Sequence, residues 1–227
     1  MKHTEKELQI LKDDVAQMWK LVLSQLEKAK QALLTNDLEL AREIAAREKR
    51  VDAFELKIDS DCENFIALYS PVAVDLRLVL SFMRISSTLE RVGDFAEGIA
   101  RFVIKSEGNV PDNAVLEDLQ MEAMFDAVIS MLSDSFVALE AENTSVAGKI
   151  LLRDDDVDAI FLNSVDVLAK FMQQQPEFMR WGLRTMLILR KLERIGDHCS
   201  NIVEEIVFYV DAKVLKHQKI ESKNNGD

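Results

Sequence analysis

Three observations predict an all-α fold built twice over. Apolar residues recur at three- and four-residue spacing through nearly the whole chain, the period of a helix with one buried face. Turn-forming residues are scarce, with only 7 Gly and 3 Pro among 227 residues, while 48% apolar residues supply a sizeable core. A six-residue string also occurs twice, Leu89-Glu90-Arg91-Val92-Gly93-Asp94 and Leu192-Glu193-Arg194-Ile195-Gly196-Asp197, 103 residues apart. That repeat predicts two tandem antiparallel three-helix bundles related by internal duplication, spanning 1–107 and 112–218, with 219–227 as a disordered tail.

The first helix is expected from Glu5 to about Thr35, where Leu8, Leu11, Val15, Met18, Trp19, Val22, Leu26, Ala29 and Leu33 mark its apolar stripe. Asn36 is placed to cap a second helix, with Glu39 at the third position, running through Ile44, Val51, Ile58, Cys62 and Phe65 to about Tyr69. Ser70-Pro71 fits a cap followed by a first-turn proline, opening a third helix to about Lys105. Gly108 to Asn113 is the linker, and Asp112 can cap the next helix. The second half repeats the plan: a helix to about Glu142, a break at Asn143-Thr144, a helix to about Gln174, and Pro176 opening a last helix to about His217.

A net charge of −12 and a pI near 4.8 argue against nucleic-acid binding, which needs a basic stripe. No signal-like segment or membrane-length apolar run is visible, so a soluble, cytoplasmic protein is expected. Cys62 and Cys199 lack metal or disulfide spacing and read as reduced core thiols. Trp19 and Trp181 are candidates for a dimer patch.

The doubled string sets Glu and Asp four apart, on one face of a helix. The preceding helix of each half carries a matching pair, Glu48 and Asp52, then Asp154 and Asp158. Asp52 lies 19 residues before Pro71 and Glu90 lies 19 after it; for Glu48 and Asp94 the distance is 23. About the Gln175–Pro176 junction, Asp158 and Glu193 are likewise level, as are Asp154 and Asp197. Antiparallel hairpins therefore bring four carboxylates together in each half. Like charges at such spacing repel, and two compensations fit. One is pairing with Arg47, Arg50, Arg84, Arg91, Arg153, Arg190 or Arg194; the other is a cation on oxygen ligands, which the four level-matched pairs favour.

Glu97 and Asn201 are positioned to add an oxygen ligand on the same faces, though a solvated role suits either equally well. His198 points about 100° away from Asp197 and reads as a partly buried neighbour. Gly93 and Gly196, each a weak helix former, imply close helix approach.

The paired Leu-Glu-Arg-x-Gly-Asp strings, each preceded by a helix carrying an acidic x-x-x-Val-Asp string, resemble the PhoU family, as does the phrase Ser70-Pro71-Val72-Ala73-Val74-Asp75-Leu76-Arg77-Leu78-Val79-Leu80. The likeness runs from about Glu5 to Val210. It implies two similar three-helix bundles, a homodimer, and a cytoplasmic protein peripheral to the membrane but not inserted in it. It further implies a non-enzymatic negative regulator that links the ATPase of the phosphate ABC transporter (PstB) to a sensor histidine kinase (PhoR). By position, the family's metal ligands fall on Glu48, Asp52, Glu90 and Asp94, and on Asp154, Asp158, Glu193 and Asp197. Iron or zinc clusters are implied, with Mg or Mn as competitors. Where the family continues the motif with an Asn, as at Asn201, the first copy has Gly98, so weaker metal binding is expected there. The second copy reads Glu177-Phe178-Met179-Arg180-Trp181 after its proline, so equivalent partner surfaces are not expected.

Three other classes compete. Asp154-Asp155-Asp156-Val157-Asp158 satisfies the D-D-x-x-D pattern of all-α, Mg-dependent prenyl-diphosphate enzymes, but the first half lacks it at Glu48-Lys49-Arg50-Val51-Asp52. A ferritin-like di-iron site needs Glu-x-x-His, which does not occur. A metal-free helical adapter held by ion pairs is the plainest alternative.

Overall fold

A computed structural model of the chain describes residues 2–46, 48–106, 110–111 and 113–214, the side chains of Lys2 and Glu48 excepted. The described residues form α1 (Lys2–Thr35), α2 (Leu38–Ala45), α3 (Glu48–Tyr69), α4 (Ala73–Lys105), α5 (Ala114–Asp118), α6 (Met121–Glu140), α7 (Ala147–Gln174) and α8 (Met179–Asp211), with a 3-10 turn at Pro176–Phe178 before α8. The fold is all-α, as the periodicity predicts. Positions 108, 109 and 112 of the expected linker, the expected tail at 219–227, and residues 107 and 215–218 lie outside the described residues, as does Arg47.

Several boundaries differ from expectation. Asn36 is left-handed (φ 51°) and does not cap; Asp37 does, accepting from the Leu40 amide at 3.0 Å. The expected single second helix is two, α2 and α3, the first ending at Ala45. The string Ala45-Ala46-Arg47-Glu48 has high helix propensity and holds no stop signal, so the packing of α2 on α4 and α1 overrides local preference. Glu48 consequently begins α3, and Asp52 sits in its second turn.

Pro71 ends α3 instead of opening α4. A proline disfavours helical geometry in the residue before it, and Ser70 adopts φ 47° with its amide on the Ile66 carbonyl. The chain stays extended at Val72, and α4 begins at Ala73. Pro176 behaves as expected, at the start of the 3-10 turn that leads into α8. The helix expected up to Glu142 is divided by left-handed Gln120 into α5 and α6 and stops at Glu140. α8 ends at Asp211, short of His217, where Ala212 turns left-handed at φ 54°.

α1, α3 and α4 pack as one antiparallel bundle with α2 laid on α1 and α4; α6, α7 and α8 form the second. The two are joined by α4 against α8 and α1 against α6, with apolar side chains of both halves in one continuous core. Trp19 is fully buried and its Nε1 donates to the Leu132 carbonyl at 3.1 Å, tying α1 to α6. Trp181 is also buried, against Phe102 and Phe171, so neither tryptophan is the exposed dimer patch considered above. Cys62 and Cys199 are free and buried, and burial pushes the Cys62 thiol up to about 12.

Replacing Trp19 by Ala removes a large side chain and its hydrogen bond from the junction of the bundles. Urea denaturation followed by circular dichroism should show a loss of about 3–5 kcal/mol, with Trp19→Phe losing clearly less.

Candidate metal centre

α3 and α4 cross at the first acidic cluster. One carboxylate oxygen from each of Asp52, Glu90 and Asp94 lies within 4.8 Å of the others. That spacing suits oxygens arranged around one cation at metal–oxygen distances of about 2.0–2.6 Å. The close approach depends on Gly93: a Cβ there would stand 3.2 Å from Val51 Cγ1. Burial pushes the Glu90 carboxyl up to about 7, with Asp94, Glu55 and Asp52 adding repulsion and Arg91 opposing it. Burial, then Asp52 and Glu97, also raises Asp94, against Lys191 and a hydrogen bond with Glu90. Among the described residues this is the one triad of acidic, His or Cys groups at such spacing. The side chain of Glu48 lies outside the described residues.

The second cluster, on α7 and α8, has the same membership but a different chemical state. Asp154 accepts from the Ser200 hydroxyl at 2.7 Å, and Glu193 accepts from Arg190 Nη1 at 2.7 Å. The remaining oxygens, Asp154 Oδ1 and Glu193 Oε2, are buried without a hydrogen-bond partner. Burial pushes Asp154 up to about 6, opposed by Ser200 and reinforced by Asp197, Asp158 and Asp155. Burial also raises Asp158 and Glu193, in each case with Asp197 adding most of the repulsion. Gly196 makes room for Asp154: a Cβ at that position would stand 2.5 Å from Asp154 Oδ1. Each of these orphaned, buried carboxylate oxygens has an acceptor position that a cation could fill.

Arginine pairing covers little of this charge. Arg84 is taken by Glu205 and Arg153 by Asp134; of the candidate arginines with described side chains, only Arg190 closes an ion pair within a cluster. Glu97 is held by Arg101 at 2.5 Å, which removes it as a ready ligand. Asn201 is exposed on α8, one turn beyond Asp197. At Gly98 a Cβ would meet Lys191 Nζ at 2.8 Å, so the place of Asn201 in the first copy is filled by a cation from α8.

The clusters flank the α4–α8 contact. Phe95 and His198, equivalent positions of the two repeats, stack at 5.7 Å, and Lys191 and Arg194 lie 5.1 and 5.6 Å over the Phe95 ring. His198 is buried, with Nε2 lacking a hydrogen-bond partner, and burial with Arg91 and Arg194 holds its pKa below the usual value. Lys191, Ser200 and Glu55 are the site neighbours that sequence spacing did not single out. Ser200, three residues after Asp197 on the same helix, was the most legible of them. In the Asp-rich string, Asp155 and Asp156 are exposed and outside the orphaned-oxygen site, unlike Asp154.

The PhoU domain family model matches residues 15–103 and 121–206. The phosphate-specific transport system accessory protein PhoU homolog of Aquifex aeolicus (strain VF5) is 32% identical over 218 residues, covering 96% of this chain and 97% of that protein. The accessory protein PhoU of Escherichia coli (strain K12) is 32% identical over 213 residues, 93% of this chain and 86% of that one. The crystal structure of PhoU from Pseudomonas aeruginosa superposes with a TM-score of 0.86 at 29% identity, covering 92% of this chain and 99% of that chain. That of the phosphate transport system regulatory protein PhoU from Streptococcus pneumoniae gives 0.81 at 29% identity, covering 93% and 98%.

Glu90 titrates at about 7 when folded against an ordinary value of 4.5, so the folded state binds more protons between those limits. Stability must then fall as pH rises through that window. Thermal unfolding of chelator-treated protein should show a midpoint that drops from pH 5 to pH 7.5, and Glu90→Gln should flatten the drop.

Gly196→Ala gains up to about 1 kcal/mol of helix propensity but displaces the Asp154 carboxylate. Calorimetric titration should show divalent-metal affinity at the second cluster weakened about tenfold or more, with the urea midpoint nearly unchanged.

Proposed function

The chain belongs to the PhoU family, and from that premise we propose that it is a non-enzymatic, metal-binding regulator of phosphate uptake. Relatives carry the name of accessory proteins of phosphate-specific transport, which supports association with that transport system. In this proposal the protein couples the phosphate ABC transporter to the sensor histidine kinase and restrains phosphate-starvation signalling. Its proposed assembly is a homodimer working at the cytoplasmic side of the membrane. Among the described residues no helix is long and apolar enough to cross a membrane.

The observation that carries the metal part is the convergence of Asp52, Glu90 and Asp94 within 4.8 Å, which leaves charge repulsion that a cation removes. In the second cluster Asp154 and Glu193 would supply their orphaned oxygens, with Asp158, Asp197 and Asn201 within the same acidic surface. A bound cation would supply positive charge that locks α3 onto α4 and α7 onto α8. The protein's own contribution is to present deprotonated oxygens, so proton and metal compete for Glu90. Iron or zinc is proposed on the family resemblance; all-oxygen donors also accept Mg or Mn.

Protein purified without chelator or affinity tag should contain transition metal by elemental analysis. Asp52→Asn with Glu90→Gln and Asp94→Asn should lose the first cluster's share, and Asp154→Asn with Glu193→Gln the second's. Metal-free wild-type protein would establish the ion-pair adapter instead. Binding of the purified chain to the transporter ATPase and to the kinase sensor domain, measured across phosphate levels, tests the coupling role; no binding to either at any level would overturn it.

A further inference from the structure

The first half of α8, Met179 to Lys191, carries four cationic side chains and no acidic one, in a chain of net charge −12. Met179, Leu183 and Leu187, spaced four residues apart on one side of the helix, are 51%, 58% and 62% exposed. Together with Arg180, Arg184, Pro176 and a single acid, Glu177, they line an open cleft of about 490 Å³. An apolar stripe edged by arginines is thus presented outward on an otherwise acidic protein.

The first repeat contains a related surface with its cover in place; Arg77 matches Arg180, while Ser81 stands at the place of Arg184. At the 103-residue offset, Leu76, Arg77, Leu80 and Arg84 stand where Met179, Arg180, Leu183 and Leu187 stand in the second. Leu76 and Leu80 are partly buried. Arg77 Nε donates to the Tyr209 carbonyl at 3.1 Å. Arg84 Nη1 donates to both Glu205 oxygens at 3.2 and 2.9 Å, and its guanidinium lies 5.7 Å over the Phe208 ring. The cover is the last turns of α8, a helix that offers a carboxylate, a ring and a backbone carbonyl. In the second repeat α4 stops at Lys105, whose carbonyl receives Arg184 at 3.5 Å. Arg180 is exposed there and closes no ion pair among the described residues.

We propose that this face of α8 receives an amphipathic helix of another protein, with carboxylates along the edges of its apolar stripe. The arginines take those carboxylates as Arg84 takes Glu205, and Met179, Leu183 and Leu187 take the apolar side. A second copy of this chain fits poorly, because a two-fold contact sets the arginines against themselves. A lipid surface fits less well than a helix, since Trp181, the aromatic side chain of the segment, is buried at 4% exposure and unavailable as an interfacial anchor. The inference goes beyond the metal-binding regulator proposed above and holds whether or not the acidic clusters carry metal.

The test uses the full chain and a labelled helical peptide with a leucine stripe edged by Glu, followed by fluorescence anisotropy. The peptide should bind, and both Arg180→Glu with Arg184→Glu and Leu183→Ser with Leu187→Ser should weaken it about tenfold or more. The same peptide with Lys for Glu should prefer the charge-reversed protein. No binding, equal binding to all forms, or equal binding of both peptides to the wild type overturns the proposal. So does arginine-dependent binding to phosphatidylglycerol vesicles without peptide binding, or a dimer that Leu183→Ser with Leu187→Ser dissociates in sedimentation. Elemental analysis of the same variants should show unchanged metal content, which separates loss of this surface from loss of the metal centres.

Discussion

Repulsion between carboxylates brought together by helix packing is the constraint on which the rest of the structure turns. Each half places acids from two helices in a partly buried crevice, where desolvation and like charge both work against ionisation. The helices must nonetheless approach closely, and Gly93 and Gly196 permit it at the same point of each repeat. Something other than the carboxylates has to balance the charge: a proton, a hydrogen bond, a neighbouring cation or a metal ion. The two halves use the first three of these differently, and that difference sets their chemistry apart.

In the second half, Ser200 and Arg190 each occupy one oxygen of Asp154 and Glu193 and leave the other buried without a partner. In the first half, burial and neighbouring acids push Glu90 up to about 7, Lys191 opposes the rise at Asp94, and three oxygens remain close together. Lys191 comes from the opposite repeat, so the α4–α8 contact is part of the first site's electrostatics. The stack of Phe95 on His198 joins α4 of one repeat to α8 of the other. The duplication puts related stripes on α4 and α8; the end of α8 covers the one on α4, and among the described residues nothing covers the one on α8 in the same way.

Much of the fold was legible because helical periodicity is a local signal with long runs to average over. Breaks were less so. The end of α2 at Ala45 falls in a run of good helix formers, and left-handed Gln120 is neither Gly nor Asn, so neither carries a residue-level mark. Asp37 displaced Asn36 as cap because both residues suit the role and only the backbone chooses between them. Level matching about Pro71 and Pro176 found the facing acids even though Pro71 lies before the start of α4, because antiparallel pairing depends on the midpoint of the connection and not on its conformation.

The sequence by itself determined the all-α class, the duplication, the family and the facing of Asp52 on Glu90 and Asp94, since period, repeat and spacing are properties of the chain's order. Only the tertiary structure decided which oxygens come within 4.8 Å, that Lys191 fills the space beside Gly98, and that Ser200 and Arg190 occupy the second cluster. It also decided that Gly196 makes room for Asp154 and that Met179, Leu183 and Leu187 face outward. The reason is physical: contacts between helices distant in sequence depend on how whole faces pack, and a single side chain across an interface changes the charge balance of a site without altering its motif.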